Sequence, residues 1–124
     1  MGWFGSAWDP ADDPALHVVT VLRADAEKPA GAGFVFGDDT VLTCAHVVNA
    51  ALARPMLESR PPRSAELAVT VHGAARTRQF TARVAHWIPP RTRDGDPVPE
   101  GDDEWLGDLA LLRVDGPAGG LPAA

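Results

Sequence analysis

The sequence predicts an all-β, antiparallel domain. Six short apolar runs rich in β-branched residues are separated by Gly-, Pro- and Asp-rich breaks. Several of these breaks are short enough for hairpins. Only one segment has the composition of a helix, so no long helices are available to cover a parallel sheet. No internal repeat is present, and the pattern suits a closed barrel or a two-sheet sandwich.

Residues 1–15 place Trp3, Phe4 and Trp8 among Gly, Asp and Pro with no sustained period. They are expected to form an N-terminal arm whose aromatics pack on the domain, the alternative being a partner-binding peptide. Residues 16–23, Leu-His-Val-Val-Thr-Val-Leu-Arg, contain no breaker and predict the first strand. After a turn-rich stretch over 24–31, residues 32–36 and 40–43 flank Gly37-Asp38-Asp39 and predict a hairpin. Residues 45–52 have helix-tolerant composition for about two turns and stop before Pro55. A Pro/Arg/Ser loop follows over 54–64. The alternating segments 66–72 and 79–87 each predict a strand with one wet face. Residues 89–104 combine four prolines with many carboxylates and predict an exposed loop. Residues 108–114, Asp-Leu-Ala-Leu-Leu-Arg-Val, predict a buried last strand before a Gly/Pro/Ala tail over 116–124.

A length of 124 residues fits one domain, and 45% hydrophobic with 23% charged residues can build a core. The single cysteine, Cys44, excludes an internal disulfide. A formal charge of −6 with scattered basic residues argues against nucleic-acid binding. No apolar run approaches the roughly 18–20 residues of a membrane-spanning helix, and the N-terminus lacks signal-peptide regions. A cytoplasmic protein with no membrane partner is expected. The Arg-, Ala- and Pro-rich composition suggests GC-rich bacterial coding.

Three segments carry the chemistry: Gly31-Ala32-Gly33-Phe34-Val35-Phe36, Thr40-Val41-Leu42-Thr43-Cys44-Ala45-His46-Val47-Val48, and Gly107-Asp108-Leu109-Ala110-Leu111-Leu112. Together, and in this order, they resemble the trypsin-like (chymotrypsin-fold) serine proteases. The His-Val-Val variant is most similar to bacterial relatives of the high-temperature-requirement type. The resemblance spans residues 16–114 and implies a six-stranded antiparallel Greek-key β-barrel, with one short helix after the His-bearing strand. It implies residues 16–115 as the N-terminal barrel of such a peptidase, His46 as general base and Asp108 as the acid that orients it. The family then cleaves a protein or peptide substrate.

The residue types suit these roles. A serine hydroxyl is protonated at neutral pH and needs an imidazole to take its proton and return it to the leaving group. A carboxylate accepting the Nδ1 proton fixes one tautomer of that imidazole. His46 and Asp108 lie 62 positions apart, so only folding can bring them together. The gap is long for the family, and the loops 54–64 and 89–104 account for the excess. A histidine after a strand more often packs or caps a helix; the surrounding Thr-Cys-Ala-His-Val-Val favours the catalytic reading. Asp108 alone would suit a simple strand start, and Asp102, Asp103 and Glu104 a solvated loop. His17, His72 and His86 read as ordinary barrel positions. No His/Cys/Asp cluster has metal-ligand spacing, and no metal or cofactor is expected. Cys44 reads as a small buried hydrophobe rather than a nucleophile. Gly31-Ala32-Gly33 lacks the Lys and following helix of a phosphate loop and reads as close strand packing.

The family's Gly-Asp-Ser-Gly-Gly nucleophile motif is missing. Ser6, Ser59 and Ser64 have no Gly-rich setting for an oxyanion hole. No activity is expected from residues 1–124 alone. Three readings stay open: a piece of a longer peptidase, a half completed by a complementary C-terminal barrel on another chain, or a noncatalytic protein-binding module. An unpaired half should expose an apolar face and self-associate.

Overall fold

The computed structural model of the chain describes residues 18–23, 28–37, 39–62, 65–72 and 77–115. The expected arm, His17, Ser6, Ser64 and the tail over 116–124 lie outside these residues. Among these residues, six strands and one helix follow in the order β1 (Val18–Leu22), β2 (Pro29–Phe36), β3 (Thr40–Thr43), α1 (Ala45–Ala51), β4 (Glu66–His72), β5 (Thr77–Ile88) and β6 (Leu109–Asp115). All pairings are antiparallel, and the sheet closes as β1-β2-β3-β6-β5-β4 with β4 returning to β1. The neighbouring order β4-β1-β2-β3 is a Greek key. The expected barrel is therefore the observed one, and a sandwich is not formed.

Alternation builds the core. Val19 and Val21 on β1, Leu67, Val69 and Val71 on β4, and Ala110, Leu112 and Val114 on β6 all point into the barrel and are buried. Val35, Val41, Phe80 and Ala82 fill the remaining strand positions of the same cluster. Each fully buried Val or Leu contributes about 1.5–3 kcal/mol relative to exposure.

Helix α1 plugs the barrel by burying Val47, Val48 and Ala51 into this cluster. It lies close to β2 because Gly31 has no side chain: a Cβ there would sit 2.5 Å from Val47 Cγ2. The fully buried Asn49 side chain then ties down the loop after the helix, donating from Nδ2 to Met56 O at 2.9 Å and Glu58 O at 3.1 Å.

Several boundaries differ from the sequence reading. β2 starts at Pro29, inside the expected turn, because Gly31 and Pro29 pair with Val21 and Leu22, leaving Ala30 as the extra residue at a register shift. β5 runs from Thr77 to Ile88 because it pairs with both β4 and β6, with a register shift between Val84 and His86. Asp108 precedes β6 instead of opening it, since its φ of 70° is left-handed and incompatible with a strand. Among the described residues, no helix is long and apolar enough to cross a membrane.

Candidate active site

The separation of His46 and Asp108 along the chain is closed by the β3–β6 ladder. Thr43 pairs with Ala110 in an antiparallel register. Going forward from Thr43 and backward from Ala110 therefore leads to the same end of the barrel. His46 is reached as the second residue of α1, and Asp108 as the residue before β6.

At that end the Asp108 carboxylate accepts three N–H groups. Its Oδ1 takes the His46 backbone N–H at 2.8 Å, while Oδ2 contacts His46 Nδ1 at 2.5 Å and accepts Trp105 Nε1–H at 3.3 Å. A carboxylate oxygen accepts rather than donates, so the proton in this contact sits on Nδ1, and a neutral ring of that tautomer has its lone pair on Nε2. Asp108 is 8% exposed, whereas the His46 side chain is 33% exposed. The carboxylate is thus shielded while the imidazole stays accessible.

Backbone geometry aims the carboxylate. Arg91 and Leu106 exchange backbone hydrogen bonds of 2.9 and 2.8 Å, which staple the base of the loop before β6. Gly107 follows with a φ of 82°, and a Cβ on it would lie 2.7 Å from Pro89 O. Glycine alone meets both demands without strain. Asp108 itself then takes the left-handed conformation that Asp tolerates better than most residues.

Trp105 also lines a cavity of about 600 Å³ between two loops, with Met56 and Leu57 on one side and Val98 on the other. Trp87 steadies the first loop, donating from Nε1 to Ser59 O at 2.9 Å, with the Arg54 guanidinium 5.8 Å from its ring centre. The N–H of Arg60 holds the Glu58 carboxyl below its usual range, opposed by burial and assisted by the Arg60 charge.

Of the remaining histidines, His72 is exposed and shares a 2.8 Å hydrogen bond with Thr20, and His86 is exposed on the outer face of β5. Neither approaches the pair through a described hydrogen bond. Ser59 is the one serine among the described residues, and its backbone rather than its hydroxyl makes the hydrogen bonds. Sequence reasoning missed Trp105, whose position three residues before Asp108 gives no signal until the loop is folded. It also missed that Cys44 stands beside the pair. The Cys44 thiol is half-buried and partly packed on the core. Burial raises its pKa first, and the nearby Asp108 charge raises it further.

A closed Greek-key barrel with a carboxylate-held imidazole on its rim is consistent with one barrel of a trypsin-like peptidase. The family model described as a trypsin-like peptidase domain matches residues 31–124, and the chain belongs to that family. Comparison with curated proteins and with solved structures found no match.

Proposed function

We propose that this chain supplies the general base and the orienting acid of a trypsin-like serine endopeptidase. The observation that supports the reading best is the 2.5 Å contact between His46 Nδ1 and Asp108 Oδ2, held in register by the His46 backbone N–H. In this mechanism His46 Nε2 takes the proton of a serine hydroxyl as its oxygen bonds to the scissile carbonyl carbon. The proton passes to the leaving amine when the C–N bond breaks. Water then repeats the sequence on the acyl-enzyme. Asp108 stays ionised and stabilises the imidazolium.

The serine and the oxyanion hole come from a second barrel, on the same or another chain. A surface suited to receive it lies on the outside of the sheet. Val18, Phe34, Leu42 and Leu111 are successive cross-strand partners over β1, β2, β3 and β6, with Phe36 and Leu109 beside them. That apolar row also favours the second reading, a noncatalytic protein-binding module.

The test is peptide hydrolysis by the chain joined to its second barrel. His46→Ala and Asp108→Asn are each expected to lower kcat/KM by about 10⁴-fold with the fold retained. An unchanged rate in either variant overturns the assignment. A serine-reactive probe should label no serine within residues 1–124, and labelling there would do the same.

A further inference from the structure

Among the described residues, Cys44 Sγ, a ring nitrogen of His46 and a carboxylate oxygen of Asp108 all lie within 4.8 Å of one another. We propose that these three side chains form a binding site for a borderline-soft divalent cation of the Zn²⁺ type. The inference stands apart from the peptidase reading, because it concerns binding by this chain and no step of hydrolysis.

The donor set is the first argument. Thiolate, imidazole and carboxylate are the three protein ligands of zinc, and a mixed S/N/O set disfavours Mg²⁺ and Ca²⁺, which take oxygen. The geometry is the second. A tetrahedral ion with bonds of about 2.0–2.3 Å needs its ligand atoms roughly 3.3–3.8 Å apart. The Nδ1–Oδ2 distance of 2.5 Å must widen by about 1 Å, and the spacings to sulfur, which are within 4.8 Å, need close by about 1 Å at most. Side-chain rotation supplies such movements while the backbone stays fixed. The supports are already in place, with Cys44 and His46 at the β3–α1 junction and Asp108 set by the Gly107 turn. Asp108 forms the buried end of the site, and half-buried Cys44 and His46 form its mouth.

Charge and protons balance. The cation displaces the proton held between Nδ1 and Oδ2, and it displaces the thiol proton. One of the two passes to Nε2 and the other leaves to solvent. Thiolate and carboxylate then neutralise a 2+ ion, and a fourth position is left for water. With Nε2 protonated, the imidazole accepts nothing, so the loaded site is an off-state for any reaction that uses His46 as base.

The experiment titrates the reduced full chain with Co²⁺ and follows the near-ultraviolet thiolate-to-cobalt band together with the visible bands of tetrahedral cobalt. Both are expected to appear at one equivalent and to be abolished by competing Zn²⁺. Cys44→Ser should remove the thiolate band, and His46→Gln and Asp108→Asn should each weaken binding tenfold or more. A folded chain with no thiolate band overturns the proposal. So does wild-type titration by either the His46 or the Asp108 variant, which would mean capture by the thiol alone. The second measurement needs no variant: the deshielded Nδ1–H proton resonance of His46 should vanish on Zn²⁺ addition, and its persistence at saturation counts against the site.

Discussion

Trp105 and Asp108, three residues apart in one loop, are joined by a 3.3 Å hydrogen bond from the indole Nε1–H to carboxylate Oδ2. The same oxygen faces His46 Nδ1 at 2.5 Å, so the indole and the imidazole share one acceptor. The carboxylate thereby obtains all three of its described donors from a single barrel. Trp105 is half-buried in the wall of the cavity between the two loops, which couples that wall to the acid.

Trp105→Phe keeps the ring and removes the donor. Asp108 should then hold His46 with more freedom. The expected outcome is a shifted or broadened Nδ1–H proton resonance of His46, with thermal stability lowered by about 1 kcal/mol. An unchanged resonance would reduce Trp105 to a wall residue.

Gly107→Ala asks a residue with a Cβ to occupy a φ of 82° with Pro89 O only 2.7 Å away. Strain of about 1–3 kcal/mol is expected. Relief of that strain should turn Asp108 away from α1. The His46 Nδ1–H resonance should be lost while the far-ultraviolet circular dichroism of the barrel persists; retention of the resonance would show that the turn does not aim the acid.

Cys44 titrates above the ordinary thiol value because burial and the Asp108 charge both disfavour its thiolate. Alkylation by iodoacetamide should therefore be slow at neutral pH and should rise with pH through a midpoint above that of a free thiol. Asp108→Asn removes the second cause and should move the midpoint down. A midpoint at or below the free-thiol value contradicts the assignment.

Phe34 is 50% exposed and Phe36 69% exposed on the outside of β2. The chain alone is expected to self-associate through this row, and Phe34→Glu with Phe36→Glu should return it to monomer in sedimentation experiments. Stability should change by less than about 1 kcal/mol, since both side chains face outward. A wild-type monomer at high concentration would remove the case for a covered face.

The inward positions of β1, β4 and β6 were legible in the sequence because period-two alternation is a local property. The positions of His46 and Asp108 in their motifs were legible too, through the resemblance. Their contact was not, because it depends on the Thr43–Ala110 register, which no local pattern encodes. Trp105 escaped notice for a related reason. Whether its N–H meets the carboxylate is decided by two successive left-handed residues, and only Gly107 advertises that conformation. The same junction brings Cys44 to the pair, although its spacing from His46 resembles no metal motif.

Closure of the sheet has a consequence for how this protein fails. Every strand from β1 to β6 has hydrogen-bonded neighbours on both sides, so among the described residues no edge strand is offered as a template for another chain. Clumping driven by the outer phenylalanines should be amorphous and reversible on dilution. Growth of fibrils would first have to unzip the seam between β1 and β4, where only Val19, Thr20 and Val21 meet their partners.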